Sequence, residues 1–271
     1  MLLPAVWSFS SQEEDMKELR KLLMACGEET DRENANRIFD LVRTEEEMYT
    51  IIVRVTNNFY MDEEDGVPTA WIFTDHSFAE DNVRNIRDLG LEVREMEIAP
   101  KQRLGFFNDL YRSGIEAITI DHGQDSAFTM SLFNLITRPD EETGSTLNPG
   151  LVRAANRFYQ GISKNRVTPQ DQKEFSRELA EAMYLIPMNP ETGKNPMVTN
   201  KAGGKYFAVF SDPTEFFKFD RKHIYEAGRM SFKDLRKLAK KADGIVVNPF
   251  GFGLGLDLNK IDRILEELSV Q

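Results

Sequence analysis

The chain has 271 residues, 41% of them hydrophobic, so it is long enough to form two mid-sized domains with substantial cores. Its 45 acidic and 34 basic side chains give a net charge of -11, which repels the phosphates of nucleic acids and anionic lipids, so we expect neither as a partner. The first ten residues, MLLPAVWSFS, lack the basic start of a leader and the length of a membrane span, which favours a cytoplasmic location.

Two helical patterns, MKELRKLLMACG and NANRIFDLV, come first in the chain. Cys26 follows Leu19, Leu22 and Leu23 at helical spacing, so we expect it to be a small buried residue. As the only cysteine, it excludes a disulfide within the chain. Strand patterns follow at EEMYTIIVRV and TAWIFTDHSF, and LGFFNDLYRSGIEAITIDHG predicts a helix and then a strand.

The same order of patterns occurs again after the polar stretch RPDEETGSTLNPG. EAMYLIPMN matches the first strand pattern, KYFAVFSDPTEFF the second, and MSFKDLRKLAKKADGIVVNPFG the helix and strand. We therefore predict an α/β chain, mixed α+β, built from two similar domains in tandem over residues 1–143 and 144–271. Each is expected to have leading helices, a mixed sheet with hairpins, and packed helices.

The second copy ends in DGIVVNPFGFGLGLDLNKID, where Asn-Pro and several glycines lie between apolar runs. A dinucleotide-binding loop needs GxGxxG at the start of a helix, whereas here a second extended run follows GFG. Without a helix N-terminus the glycines have no dipole with which to hold phosphate, so we predict a hairpin turn. Phe250 and Phe252 flank Gly251, which predicts one buried ring and one exposed ring.

Four stretches of the second copy, NPGL, YLIPM, FAVFSD and GIVVNPFGFGLGLD, resemble in that order the enhanced serine sensitivity (SseB-like) family. The resemblance covers residues 148–271 and is weaker in the first copy, where ITIDHGQDSAF replaces VVNPFGFGL. It implies small α/β modules that are named for a growth phenotype. It implies no reaction.

Asp75-His76 and Asp121-His122 each follow a predicted strand. If those strands are parallel neighbours, the four side chains share one sheet end and are a candidate metal site. The alternative, which we favour, is that Asp75 caps a helix and that Asp121 lies in a turn like Asn248. We therefore expect no metal and no cofactor.

No GxSxG, HExxH or Walker A motif occurs in the chain, and we expect no enzymatic activity. The favoured hypothesis is a cytoplasmic interaction or regulatory protein that binds a partner protein through its loops or the surface between the domains. The alternatives are a protein that binds a small metabolite, linked to serine metabolism, in the cleft between domains, and a metal-dependent enzyme. The candidate ligand- or partner-binding residues are Asn248, Pro249, Phe250, Gly251, Phe252, Asp121 and His122. Because two fused copies can replace a homodimer, we expect a monomer with an internal pseudo-dimer, or a weak homodimer.

Overall fold

The computed structural model describes residues 17–26, 32–44, 47–138 and 145–269. The first ten residues and the predicted domain boundary between 143 and 144 lie outside the described residues. Within the described ranges, no helix combines the length and the apolar character needed to cross a membrane.

The first half contains four α-helices and seven strands among its described residues. In chain order they are α1 (Glu18–Ala25), α2 (Arg32–Thr44), β1 (Tyr49–Val53), β2 (Asn58–Phe59), β3 (Asp62–Glu64), β4 (Val67–Phe73), α3 (His76–Asp88), β5 (Val93–Glu97), α4 (Arg103–Arg112), β6 (Ala117–Ile120) and β7 (Phe128–Ser131). Strand β1 lies between β5 and β4, and β4 pairs with β6, which pairs with β7. Only the β4–β6 pair is parallel, while β2 and β3 are short antiparallel additions to β1 and β4.

The second half contains five α-helices and six strands among its described residues. In chain order they are α5 (Pro149–Ser163), α6 (Pro169–Glu181), β8 (Met183–Met188), β9 (Met197–Thr199), β10 (Lys205–Val209), α7 (Pro213–Phe219), β11 (Glu226–Ser231), α8 (Phe232–Ala239), β12 (Gly244–Val247), β13 (Leu254–Leu256) and α9 (Leu258–Ser269). Strands β10 and β12 are parallel, and β13 and β9 flank them. Strands β8 and β11 pair with each other, and a bridge from Leu185 to Phe210 joins them to the end of β10.

The order of strands is therefore the same in the two halves: β5-β1-β4-β6-β7 in the first and β11-β8-β10-β12-β13 in the second. The predicted mixed α/β class is confirmed. Strands β5 and β11 were not predicted from the sequence. Their sequences, VREME and EAGRMS, carry few apolar residues because each strand lies at an edge and pairs with a single neighbour.

The main core of each half lies between one face of the sheet and most of the helices. In the first half, apolar side chains of α1, α2 and α4 pack on this face, and in the second half those of α5, α6, α8 and α9 do so. Cys26 is only partly buried and packs against the first core just after α1 ends. The predicted burial of Cys26 is therefore only partial.

The opposite sheet face is covered differently in the two halves. In the first, Ala79, Val83 and Ile86 of the 13-residue α3 pack on it. In the second, the seven-residue α7 contributes Phe216 to a smaller cluster. Burial of one such side chain stabilises the fold by about 1.5–3 kcal/mol, so this face is the less stabilised one in the second half.

Helix α5 connects the halves through polar side chains. Buried Asn156 donates from Nδ2 to the carbonyl of Phe59 at 2.6 Å and accepts from the hydroxyl of Thr56 at 2.9 Å. Gln160, one turn later, donates to the carbonyl of Met61 at 3.2 Å. The helix thereby satisfies main-chain groups beside β2 and β3 that a further strand would otherwise pair with.

Candidate functional site

Residues 248–253 form the signature loop, a turn that joins β12 to β13. The amides of Gly251 and Gly253 both donate to the carbonyl of Asn248, at 2.9 and 3.0 Å. The side chain of Asn248 is buried and bonds to Ser211 at the end of β10, accepting from its amide at 2.9 Å and donating to its hydroxyl at 2.7 Å. The predicted hairpin is confirmed, because β13 pairs antiparallel with β12 and the next helix begins only at Leu258.

Asp121 has the same place in the first half, directly after β6. It is buried and accepts from the amide and hydroxyl of Thr74, at 2.7 and 2.8 Å, and from the hydroxyl of Ser126 at 2.8 Å. Asp121 and Asn248 both have a left-handed φ, of 51° and 48°, which Asp and Asn tolerate better than most residues. The predicted turn role of Asp121 is confirmed.

The candidate four-residue metal site does not assemble. Strands β4 and β6 are parallel neighbours, as that hypothesis required. Asp75, however, caps α3 by accepting from the amide of Ser77 at 3.0 Å, and the oxygens of Asp121 are taken up by hydrogen bonds. His122 stacks on Trp71 with the ring centroids 3.7 Å apart, whereas His76 lies beside the carboxylates of Glu80 and Glu95.

The capping role of Asp75 also shifts its acidity. Partial burial raises the pKa of the carboxyl, but hydrogen bonds from Ser77 and the charge of Arg20, 3.3 Å away, outweigh burial. The net pKa is below the ordinary value, so Asp75 is a carboxylate near neutral pH and is already occupied as an acceptor.

A buried ionic group joins the start of α7 to the first half. Arg112, at the end of α4, lies 3.2 Å from the carboxylate of Asp212, 3.0 Å from that of Asp109 and 3.7 Å from that of Glu215. Burial by itself lowers the pKa of a guanidinium, but the three carboxylates outweigh it and hold the pKa of Arg112 above its ordinary value. The arrangement attaches the signature-loop end of the second half to the first half.

Helix α7 begins with an aspartate cap but has no capping box. Asp212 accepts from the amide of Glu215 at 3.0 Å, and Pro213 begins the helix. The carboxylate of Glu215 turns toward Arg112 and Lys218 instead of completing a capping box. Its other oxygen is buried without a hydrogen-bond partner and would lie 2.9 Å from a Cβ atom at Gly251. A larger residue at Gly251 therefore requires the buried carboxylate to move.

Of the two phenylalanines of the signature loop, one is buried and the other is exposed, as predicted. Phe252 is buried in the main core of the second half, against Phe175. Phe250 is 52% exposed and lies 6.4 Å from the ring of Phe219.

Beside Phe250 is the signature groove, an opening of about 530 Å³ on the outer face of the second sheet. Its lining residues come from four strands and the loop: Val198, Thr199, Asn200, Tyr206, Val246, Pro249, Phe250, Gly253 and Gly255. The sheet face and the loop together place a mostly apolar surface in contact with water.

The two halves differ in the side chains at the loop end of the outer sheet face. Trp71 lies three residues before Thr74, and Ala208 lies three residues before Ser211, the two residues that bond to Asp121 and Asn248. In the first half, Trp71 is buried, with His122 stacked on it. In the second half, Ala208 and Pro249 occupy these positions, and Pro249 lines the signature groove.

The cavity between the halves, where a metabolite cleft was one alternative, is smaller than most binding sites for small molecules. A cavity of about 200 Å³ lies there, and its lining includes Glu116, Arg138 and Arg153. Binding sites for small molecules usually occupy roughly 300–1,000 Å³. A larger groove of about 910 Å³ lies between α6 and α9, where Lys173, Arg263 and Glu267 mix with apolar side chains.

Comparison with known proteins supports the resemblance in the second half. Residues 162–262 match the family model described as SseB protein N-terminal domain. No curated protein matches the chain.

Solved structures of two other proteins show a low likeness. One is Tic22 from Plasmodium falciparum, with 11% identity over 86% of this chain and 98% of that chain, at a TM-score of 0.22. The other is Anabaena Tic22, titled as a protein of protein transport, with 5% identity over 76% of this chain and 86% of that chain, at a TM-score of 0.21. At these TM-scores neither likeness bears on the function of this chain.

Proposed function

We propose that the protein is a non-catalytic cytoplasmic interaction protein made of two similar SseB-like domains, and that it binds a partner protein at the signature groove. The observation that carries the proposal is the exposed ring of Phe250 at the edge of an open apolar sheet face. Exposed aromatic side chains beside a pocket are the usual anchors of protein interfaces. The partner is a protein that inserts an apolar segment into the signature groove.

The comparison between the halves supports this choice of surface. At the equivalent end of the first sheet, Trp71 packs against α3 and His122. The opening of about 530 Å³ on that face lies farther along the strands, beside Thr69, Ala117 and Thr129. The signature groove, with its loop, lies in the half that matches the family model. Of the seven candidate residues, Pro249 and Phe250 line it, and Asn248, Gly251 and Phe252 hold the loop in place. Asp121 and His122 take no part in this surface, because they lie in the first half.

A second candidate function is the binding of a small metabolite in the same groove rather than between the halves. Its volume of about 530 Å³ falls within the usual range for such sites. Tyr206, Asn200 and Thr199 supply polar groups beside apolar walls.

The test uses two glycines at which a side chain can be added. Nothing lies within 4 Å of a Cβ atom at Gly255 in the groove, or at Gly105 on the exposed side of α4. We expect Gly255→Trp to fill the groove without loss of folding, and Gly105→Trp to act as the matched control. Proteins that co-purify with the wild type from its own cells should bind Gly105→Trp equally and lose Gly255→Trp and Phe250→Ala.

The same variants separate the two candidate functions. A metabolite that raises the melting temperature of the wild type and of Gly105→Trp, but not of Gly255→Trp, favours the small-molecule function. Partners that are retained by Gly255→Trp contradict the proposed surface.

A further inference from the structure

We propose that His76, Glu80 and Glu95 form a binding site for a divalent transition-metal ion, with Zn²⁺ as its representative. The site lies in the first half, away from the signature groove, and is independent of the function proposed above. It uses His76 but none of the other residues of the metal site predicted from the sequence.

Two structural elements bring the three side chains together. His76 is the first residue of α3, and Glu80 follows one turn later on the same side of the helix. Glu95 lies in the middle of the edge strand β5, on the same sheet face as Val93, which packs under α3. The sequence separation between His76 and Glu95 explains why the spacing of residues alone did not reveal the set.

The distances between the side chains suit a shared ion. Nδ1 of His76 lies 3.8 Å from a carboxylate oxygen of Glu80, and Nε2 lies 3.5 Å from one of Glu95. One ligand atom from each residue can be chosen so that all lie within 4.8 Å of one another. Zn²⁺ binds nitrogen and carboxylate oxygen at about 2.0–2.2 Å, so tetrahedral ligands stand roughly 3.4 Å apart. Because the two contacts use opposite ring nitrogens, the ion would bind one of them, and rotation of the long Glu80 side chain would bring its carboxylate toward that ion.

The site is open to ions from solution. His76, Glu80 and Glu95 are 49%, 51% and 38% exposed. Three protein ligands with a remaining position for water are a common zinc arrangement. The imidazole selects transition ions over Mg²⁺ and Ca²⁺, which prefer all-oxygen sites.

The charges around the site also favour a cation. Among the ion pairs of the described residues, neither Glu80 nor Glu95 has a lysine or arginine partner, and each is close only to His76. The ring of Tyr49 lies edge-on 5.2 Å from the imidazole.

The chain has three histidines, which supply a complete set of matched variants. Titration of the full-length, chelator-treated protein with ZnCl₂ near neutral pH, followed by calorimetry, should detect one site. We expect His76→Gln and Glu95→Gln to bind Zn²⁺ at least about tenfold more weakly than the wild type. His122→Gln and His223→Gln should bind as the wild type does, because both histidines lie elsewhere.

A second measurement distinguishes loss of zinc binding from loss of folding. Circular dichroism of the ion-free variants should match the wild type, since the substituted side chains are half-exposed and keep their size. Zn²⁺ should then raise the melting temperature of the wild type and of His122→Gln, but not of His76→Gln. Absence of zinc binding by the wild type, or equal binding by folded His76→Gln, would overturn the proposal.

Discussion

Charged residues at the junction of the two halves are buried, unlike the ion pairs on the surface. Arg112 is the clearest case, because its guanidinium compensates two carboxylates, Asp212 and Glu215, that are themselves buried. Surface pairs such as Arg84 with Asp81 are exposed and contribute little.

Replacement of Arg112 by methionine keeps much of the volume and removes the charge. Because buried Asp212 then loses its cation and buried Glu215 keeps only Lys218, we expect the free energy of unfolding to fall by about 3–5 kcal/mol. Urea denaturation measures this free energy. Arg84→Met is the control, and we expect it to change the free energy of unfolding by no more than about 0.5 kcal/mol. An equal effect of the two substitutions would show that Arg112 is not a stabilising centre.

At the scale of elements, α3 and α7 differ in how much of the outer sheet face they cover. Both helices begin at an aspartate cap at the end of a parallel strand, Asp75 in one and Asp212 in the other. They differ in length, with 13 residues against seven. The shorter helix leaves the Tyr206 and Val246 part of the sheet uncovered.

Helix α5 is the element that attaches the halves, and Asn156 tests that role. Asn156→Ala leaves the carbonyl of Phe59 and the hydroxyl of Thr56 without their buried partner. We expect a loss of about 1–3 kcal/mol in the free energy of unfolding. Asn108→Ala is the control, because Asn108 is exposed and bonds only within its own helix. A loss no larger than in the control would mean that water replaces these hydrogen bonds.

At the scale of the whole molecule, the matching strand orders support the proposal of two similar domains in one chain. Their contact is polar and buried, through Arg112, Asn156 and Gln160, and resembles an interface between subunits more than a single core.

An internal pair of this kind leaves no need for a second chain. We therefore expect light scattering coupled to size-exclusion chromatography to give the mass of one chain over a range of protein concentrations. A mass that rises toward two chains with concentration would indicate the weak homodimer, and a constant mass of two chains would contradict the internal pseudo-dimer.

Much of the local structure could be predicted from the residues themselves. The hairpin at residues 248–253, the caps at Asp75 and Asp212, and the opposite fates of Phe250 and Phe252 depend on turn chemistry and on alternation along an extended chain. Edge strands β5 and β11 could not be found in this way, because apolar periodicity is weak in strands that are half in water.

The mixed α/β class, the turns and the helix starts could be predicted, because they depend on neighbouring residues. The folded chain was needed to show which carboxylates surround Arg112, that Glu95 stands beside His76, and which side chains line the signature groove. The reason is physical: these contacts join residues far apart in the chain, and they depend on strand register and on the length of the helix that covers each sheet face.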